Sequence, residues 1–160
     1  MSVIDTSVVI HLCVALGDRF CDFAGLLGGL IVPQEVMSEL QAGRERDDAA
    51  ARLLDCDSIR CLDSPAPLIP TLPIALGPGE SSVIRTALAF GHSMVLIDER
   101  KARQVAASFQ LATAGTLGLL IFAKQLELIT SVTTPIEQLR QRGFRISESL
   151  MTAVLLKAGE

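Results

Sequence analysis

Met94-Val95-Leu96-Ile97-Asp98 decides how this chain is read: four apolar residues in a row, ended by an acid. A short unbroken apolar run after turn residues, here Gly91-His92-Ser93, describes a strand buried on both faces. Val3-Ile4-Asp5 repeats the arrangement near the start of the chain. Buried strands of this kind belong to parallel sheets, whose ligand crevices open at the carboxyl ends of the strands. Asp5 and Asp98 are both placed at that edge.

Working outward, each strand is followed by a helix signal. Asp5-Thr6-Ser7 supplies capping chemistry for a helix from about Ser7 to Leu16, with a second helical stretch over 18–26. Leu30-Ile31-Val32 predicts a strand, and Pro33 opens a helix running to about Ala42. A helix over 47–54 and a short strand over 59–62 come next. Residues 64–78 hold Pro65, Pro67, Pro70, Pro73 and Pro78 and predict an extended connector within one unit. Pro78-Gly79-Glu80 then begins a helix to about Phe90. Asp98 is expected to cap a helix over 99–108, and a strand at 111–113 leads through Gly115-Thr116 into a helix ending near Lys124. Two further helices, over 135–142 and 147–157, flank Gly143-Phe144-Arg145-Ile146. Strands alternating with helices predict an α/β domain with a central parallel sheet flanked by helices.

Composition agrees with that class. The 160 residues are 49% hydrophobic with only 4% aromatics, no Trp and no Tyr, which suits a sheet covered by aliphatic helices. The net charge of −4 provides no global basic field, so a nucleic-acid role needs local basic patches or bound cations. Cys13, Cys21, Cys56 and Cys61 form no CxxC pair and no spacing matched to His11 or His92, which argues against zinc and for buried free thiols in a reducing cytoplasm. The first residues lack a basic region and carry an acid, Asp5, inside their early apolar run, which argues against a signal peptide. The uncharged stretch 104–123 is interrupted by polar residues and two glycines, so it is read as helix, strand and helix rather than a membrane span.

Two more acids join the strand-end pair. Val83, Ile84, Ala87 and Leu88 fall three, four, seven and eight residues after Glu80, which puts Glu80 in register with an apolar stripe. A first-turn Glu is also an ordinary partner for a helix dipole. On the preceding helix, Val36, Met37 and Leu40 form the buried face; Glu39 lies about 60° from Val36 and Glu35 about 100°, so Glu39 is the inward candidate. Asp5 and Asp98 also have a purely local reading, since Asp is a preferred N-cap. Taken together, inward carboxylates are costly without a partner, and a divalent metal ion is the partner that explains several at once. Thr6, Ser7 and Thr116 are either caps or hydrogen-bond partners of that site. Arg44, Arg100, Lys101 and Arg103 follow the rim elements and are candidates for holding phosphates. Arg140, Arg142 and Arg145 read as a solvated face, and His11 and His92 find no partner by spacing.

The ordered set of motifs resembles the PIN-domain ribonuclease superfamily, which includes VapC-type toxins. Val3-Ile4-Asp5-Thr6-Ser7 matches that family's first strand and acid, and Val32 to Leu40 matches the segment carrying the second acid, at Glu39. Gly79-Glu80-Ser81 matches the third and Leu96-Ile97-Asp98-Glu99-Arg100 the fourth. Gly115-Thr116-Leu117-Gly118 and the tail Gly143-Phe144-Arg145-Ile146-Ser147 are similar to a PIN-like branch designated a domain of unknown function. The third acid departs from better-known toxins, which usually carry Asp there.

The resemblance covers essentially the whole chain. It implies a single three-layer PIN-like domain over 1–160, with 135–160 as a C-terminal helical extension. It further implies a ribonuclease that hydrolyses RNA phosphodiesters using Mg²⁺ or Mn²⁺, hard ions that prefer oxygen ligands, held by Asp5, Glu39, Glu80 and Asp98. It also implies the toxin component of a type II toxin–antitoxin pair, with RNA as substrate, a small antitoxin protein as partner, a homodimer as assembly and no membrane association. A catalytically weak PIN-like module that only binds nucleic acid or protein is the alternative. An aspartyl phosphotransferase is disfavoured, because Asp5 is followed by Thr6-Ser7 rather than a second acid two places on.

Overall fold

The short apolar segments do become strands. In the computed structural model, which describes residues 1–43, 49–68, 71–73 and 75–160, they are β1 (Ser2–Ile4), β2 (Leu30–Val32), β3 (Ile59–Cys61), β4 (Met94–Leu96) and β5 (Ala112–Ala114). Among the described residues these make one five-stranded sheet in the order β3-β2-β1-β4-β5, parallel throughout. Val3, Ile4, Leu30, Val32, Val95 and Leu96 are fully buried, as strands covered on both faces require.

The helices are α1 (Thr6–Leu16), α2 (Phe20–Leu26), α3 (Gln34–Ala42), α4 (Ala49–Leu54), α5 (Pro78–Ala89), α6 (Arg100–Ser108), α7 (Thr116–Gln125), α8 (Thr133–Gln141) and α9 (Glu148–Ala158), with a 3₁₀ turn over Gly17–Arg19. They flank the sheet, giving the expected α/β architecture. The predicted helix over 47–54 is seen from Ala49; its first two residues lie outside the described set. The uncharged 104–123 stretch divides between α6, β5 and α7, and among the described residues no helix is long and apolar enough to cross a membrane.

Strand order creates the feature on which the site depends. From β1 the chain winds outward on one side through β2 and β3, then returns to place β4 on the other side of β1. The switch point between β1 and β4 leaves a crevice beyond their carboxyl ends. Register aligns Ile4 with Leu96, and the Asp5 N–H donates to the Leu96 carbonyl at 3.0 Å. Asp5 and Asp98 are thereby held side by side at that crevice. Ile97, fully buried, anchors the segment just before Asp98; truncating it to Ala costs about 2–5 kcal/mol.

The C-terminal helices are tied to this body. α8 packs on α1, and α9 on α7. The Glu160 carboxylate accepts hydrogen bonds from Lys124 Nζ (2.8 Å), Ser131 Oγ, the Val132 N–H and Thr133 Oγ1 (2.7 Å each), satisfying donors at the start of α8. Burial alone would raise the Glu160 pKa, but these four donors outweigh it and hold the carboxyl well below its usual range. None of the four cysteines is in a disulfide, and Cys13 and Cys56 are buried.

Candidate active site

At the switch point lies an open cavity of about 590 Å³, and all four acids line it: Asp5, Glu39, Glu80 and Asp98. Thr6, Ser7, Gly77, Gly79 and Glu99 also contribute to its wall. The acids arrive from four separate elements. β1 delivers Asp5, α3 carries Glu39, the first turn of α5 carries Glu80, and the segment after β4 ends on Asp98.

Asp5 is the most enclosed, at 5% exposure. It is the N-cap of α1, accepting from Ser7 Oγ at 2.7 Å and the Ser7 N–H at 3.3 Å. Burial is the dominant influence on its carboxyl and raises the pKa; the Ser7 and Thr6 hydrogen bonds oppose this, and the nearby Glu80 charge adds to it. A buried carboxylate next to a second carboxylate is under-compensated, which is the electrostatic condition for attracting a cation.

Asp98 is arranged differently. It does not cap the helix that follows it: Glu99 is the N-cap of α6, its side chain accepting from the Lys101 N–H at 3.3 Å. Because the cap falls one residue later than predicted, Asp98 is free to reach the start of α7. There it accepts from the Thr116 N–H (2.7 Å) through Oδ1 and from Thr116 Oγ1 (2.6 Å) through Oδ2. His11 Nδ1 lies 2.8 Å from the same Oδ2. Burial pushes the Asp98 pKa up, but the His11 and Thr116 hydrogen bonds outweigh it and the net shift is downward. Asp98 is an ionised, well-held carboxylate.

The two glutamates are occupied locally. Glu39 accepts a short hydrogen bond from Thr6 Oγ1 and one from the Gly79 N–H at 2.9 Å. Gly79 leaves room for it: a Cβ there would come within 2.6 Å of Glu39 Oε2. Gly115 does the same for Asp98, where a Cβ would meet Oδ1 at 2.8 Å. Glu80, only half-buried, turns back to accept from the Gly77 N–H at 3.0 Å, satisfying a donor at the start of α5. Its helix-terminus role, which the sequence left open beside the inward one, is therefore real.

The donor set is all carboxylate and hydroxyl oxygen, the chemistry that hard divalent ions prefer. The expected convergence of the acids is not present, however: among the described residues no three His, Cys, Asp or Glu side chains close on one point. Glu39 and Glu80 each accept from a backbone N–H, that of Gly79 and that of Gly77. The residues suit the ion in kind; their carboxylates are separately tethered.

Among the basic candidates, Arg100 and Lys101 are exposed in the first turn of α6, adjoining the cavity wall at Glu99. Arg103 is not free for phosphate in the same way. Its Nη1 donates to the Ile97 carbonyl (3.3 Å) and, over a shorter distance, to the Asp98 carbonyl, bracing the corner after β4. Arg44 lies outside the described residues. His11 was not found by spacing, because its partner is 87 residues away in sequence. Glu35, the rival to Glu39, stays out of the cavity: its Oε1 accepts from the Ala66 N–H at 2.9 Å and fastens the proline-rich connector.

The fold is an all-parallel α/β sheet with four acidic side chains at its switch point. The sequence matches the family described as DUF3368: PIN domain over residues 1–160, and the chain belongs to that PIN-domain family. No curated protein matches it. PIN domains are generally nucleases and generally use divalent metal ions.

Proposed function

We propose that this chain is a metal-dependent ribonuclease that hydrolyses RNA phosphodiesters, with Asp5, Glu39, Glu80 and Asp98 as its working carboxylates. One observation carries the reading: four acids from four elements line a single cavity at the β1/β4 switch point. Bound Mg²⁺ or Mn²⁺ would polarise the phosphoryl group and lower the pKa of the attacking water. Asp5 and Asp98 are the ligands at the strand ends, Asp5 under-compensated and Asp98 fixed. Glu39, seated by the Gly79 N–H and Thr6 Oγ1, and Glu80, seated by the Gly77 N–H, would complete the site directly or through water. Ser7, Thr6 and Thr116 orient Asp5, Glu39 and Asp98 respectively. Arg100 and Lys101, exposed at the rim, meet the phosphates of the strand. Single-stranded or looped RNA suits an open cavity better than an A-form groove.

The motif likeness to VapC-type toxins supports a biological role as the toxin of a type II pair. Residues 1–160 would then act as one unit, assemble as a homodimer and be held inactive by a small antitoxin protein. A second reading, a PIN-like module that binds nucleic acid or protein with weak catalysis, is favoured by the separate tethering of the glutamates. Cleavage of single-stranded RNA separates the two. The nuclease reading expects turnover with Mg²⁺ or Mn²⁺, its loss in chelator, and its loss in Asp98→Asn. RNA binding without metal-dependent cleavage supports the second reading and overturns the first.

A further inference from the structure

Besides Asp98, His11 touches the tail motif. α8 ends at Gln141, and Gly143, at φ +95°, adopts the left-handed conformation that closes the helix. The Phe144 N–H donates to the Leu139 carbonyl and the Gly143 N–H to the Arg140 carbonyl, both at 3.0 Å. This paired pattern is the Schellman arrangement, and it fixes the direction in which Phe144 leaves the helix. Because α8 packs on α1, that direction brings Phe144 onto His11: the ring centroids are 4.8 Å apart with an interplanar angle of 81°. Edge-to-face packing of this kind favours one ring orientation over others.

Orientation matters at His11 because of what Nδ1 faces. A carboxylate oxygen accepts, so at 2.8 Å from Asp98 Oδ2 the ring nitrogen Nδ1 is the donor of this contact. Three donors then occupy the Asp98 carboxylate: the Thr116 N–H on Oδ1, and Thr116 Oγ1 and His11 Nδ1 on Oδ2. A carboxylate offers about four acceptor directions. The one left over lies on Oδ1, the less occupied oxygen. We propose that His11, pinned by Phe144, is a positioning residue that fixes the Asp98 carboxylate so that Oδ1 is presented to a divalent cation. The tail turn Gly143-Phe144 is thus a remote support of the site. The inference rests on the reading of the cavity as a cation site.

Mn²⁺ affinity of the intact chain, followed by titration calorimetry, tests it without reference to RNA cleavage. Removing a group that orients a metal ligand lowers affinity by about 10–100-fold. His11→Leu is expected to do so, while His11→Asn, which keeps an N–H at the Nδ1 position, restores most of the affinity. Phe144→Ala is expected to weaken Mn²⁺ binding in the wild-type background and to have little further effect in His11→Leu, because the two act through one contact. Phe144→Leu keeps apolar volume without the ring edge and reports the same coupling if the Ala variant is poorly folded. Additive losses, or unchanged or tighter Mn²⁺ binding in His11→Leu, overturn the positioning role while leaving the cation site intact. A wild-type protein that binds no Mn²⁺ overturns both.

Discussion

Gly79→Ala tests whether the exact seat of Glu39 matters. A Cβ on Gly79 would lie 2.6 Å from Glu39 Oε2 and 3.0 Å from Oε1 and Cδ. Ordinary contact begins at 3.4 Å, so the carboxylate must retreat by about 0.8 Å. Glu39 is the far end of a flexible, half-buried side chain, so the retreat is cheap in stability. It weakens the hydrogen bonds from the Gly79 N–H and Thr6, about 0.5–1.5 kcal/mol each before water replaces them. Against that, Ala in the first turn of α5 gains about 0.5–1 kcal/mol over Gly. The net change stays within about 1 kcal/mol, a melting shift of no more than about 2–4 °C for a chain of this size. Catalysis is far less tolerant, since a misplacement of about 1 Å can lower a rate by 10²-fold. Melting curves and single-turnover RNA cleavage on the same preparation are the assay. The expected result is a near-native melt with cleavage reduced by about 10²-fold. A near-native melt with wild-type cleavage would remove Glu39 from the working site.

Three further outcomes follow from the charges. Asp5→Asn keeps the α1 cap but removes a carboxylate whose pKa is raised from its ordinary 3.8 mainly by burial. Since the folded state holds that proton more tightly, wild-type stability falls as pH rises from the ordinary value through the raised one; the variant should melt higher than wild type at pH 7 in chelator and gain less from Mn²⁺. Glu160 has the opposite sign: its depressed pKa contributes stability that is present above the ordinary 4.5 and lost as pH falls through the lower folded value. Glu160→Gln should therefore lower the melting temperature at pH 7 and flatten the acid side of the pH–stability curve. Arg100→Ala with Lys101→Ala should reduce the slope of log affinity against log salt for single-stranded RNA by about 1.4, if each side chain neutralises one phosphate; an unchanged slope places them on an irrelevant face.

The strands and their terminal acids were legible because their signals are local; the strand order that sets β4 beside β1 was not. Val3-Ile4-Asp5 and Met94–Asp98 each state a buried strand and its terminal acid within a few residues, and Pro33 and Pro78 mark helix starts by their own backbone restriction. What the sequence left open were choices between partners of comparable strength. Asp98 and Glu99 compete for one cap, and the backbone awards it to Glu99, sending Asp98 to Thr116. Glu80 is pointed at the cavity by helical register but is held by the backbone N–H of Gly77, a bond that a glycine N-cap makes hard to anticipate. Gly79 and Gly115 look like helix-start residues, and only the assembled site reveals that each leaves room for a carboxylate. His11 and Phe144 meet because α8 packs on α1, a fact with no local signature.

The central claim is that the switch-point carboxylates share a divalent cation. The most direct measurement is anomalous diffraction from crystals of the wild-type protein grown with Mn²⁺. The account predicts an anomalous peak in the cavity bounded by Asp5, Glu39, Glu80 and Asp98, with carboxylate oxygens of Asp5 and Asp98 directly on the ion. A cavity without anomalous density at saturating Mn²⁺, or an ion bound away from Asp5 and Asp98, would contradict it.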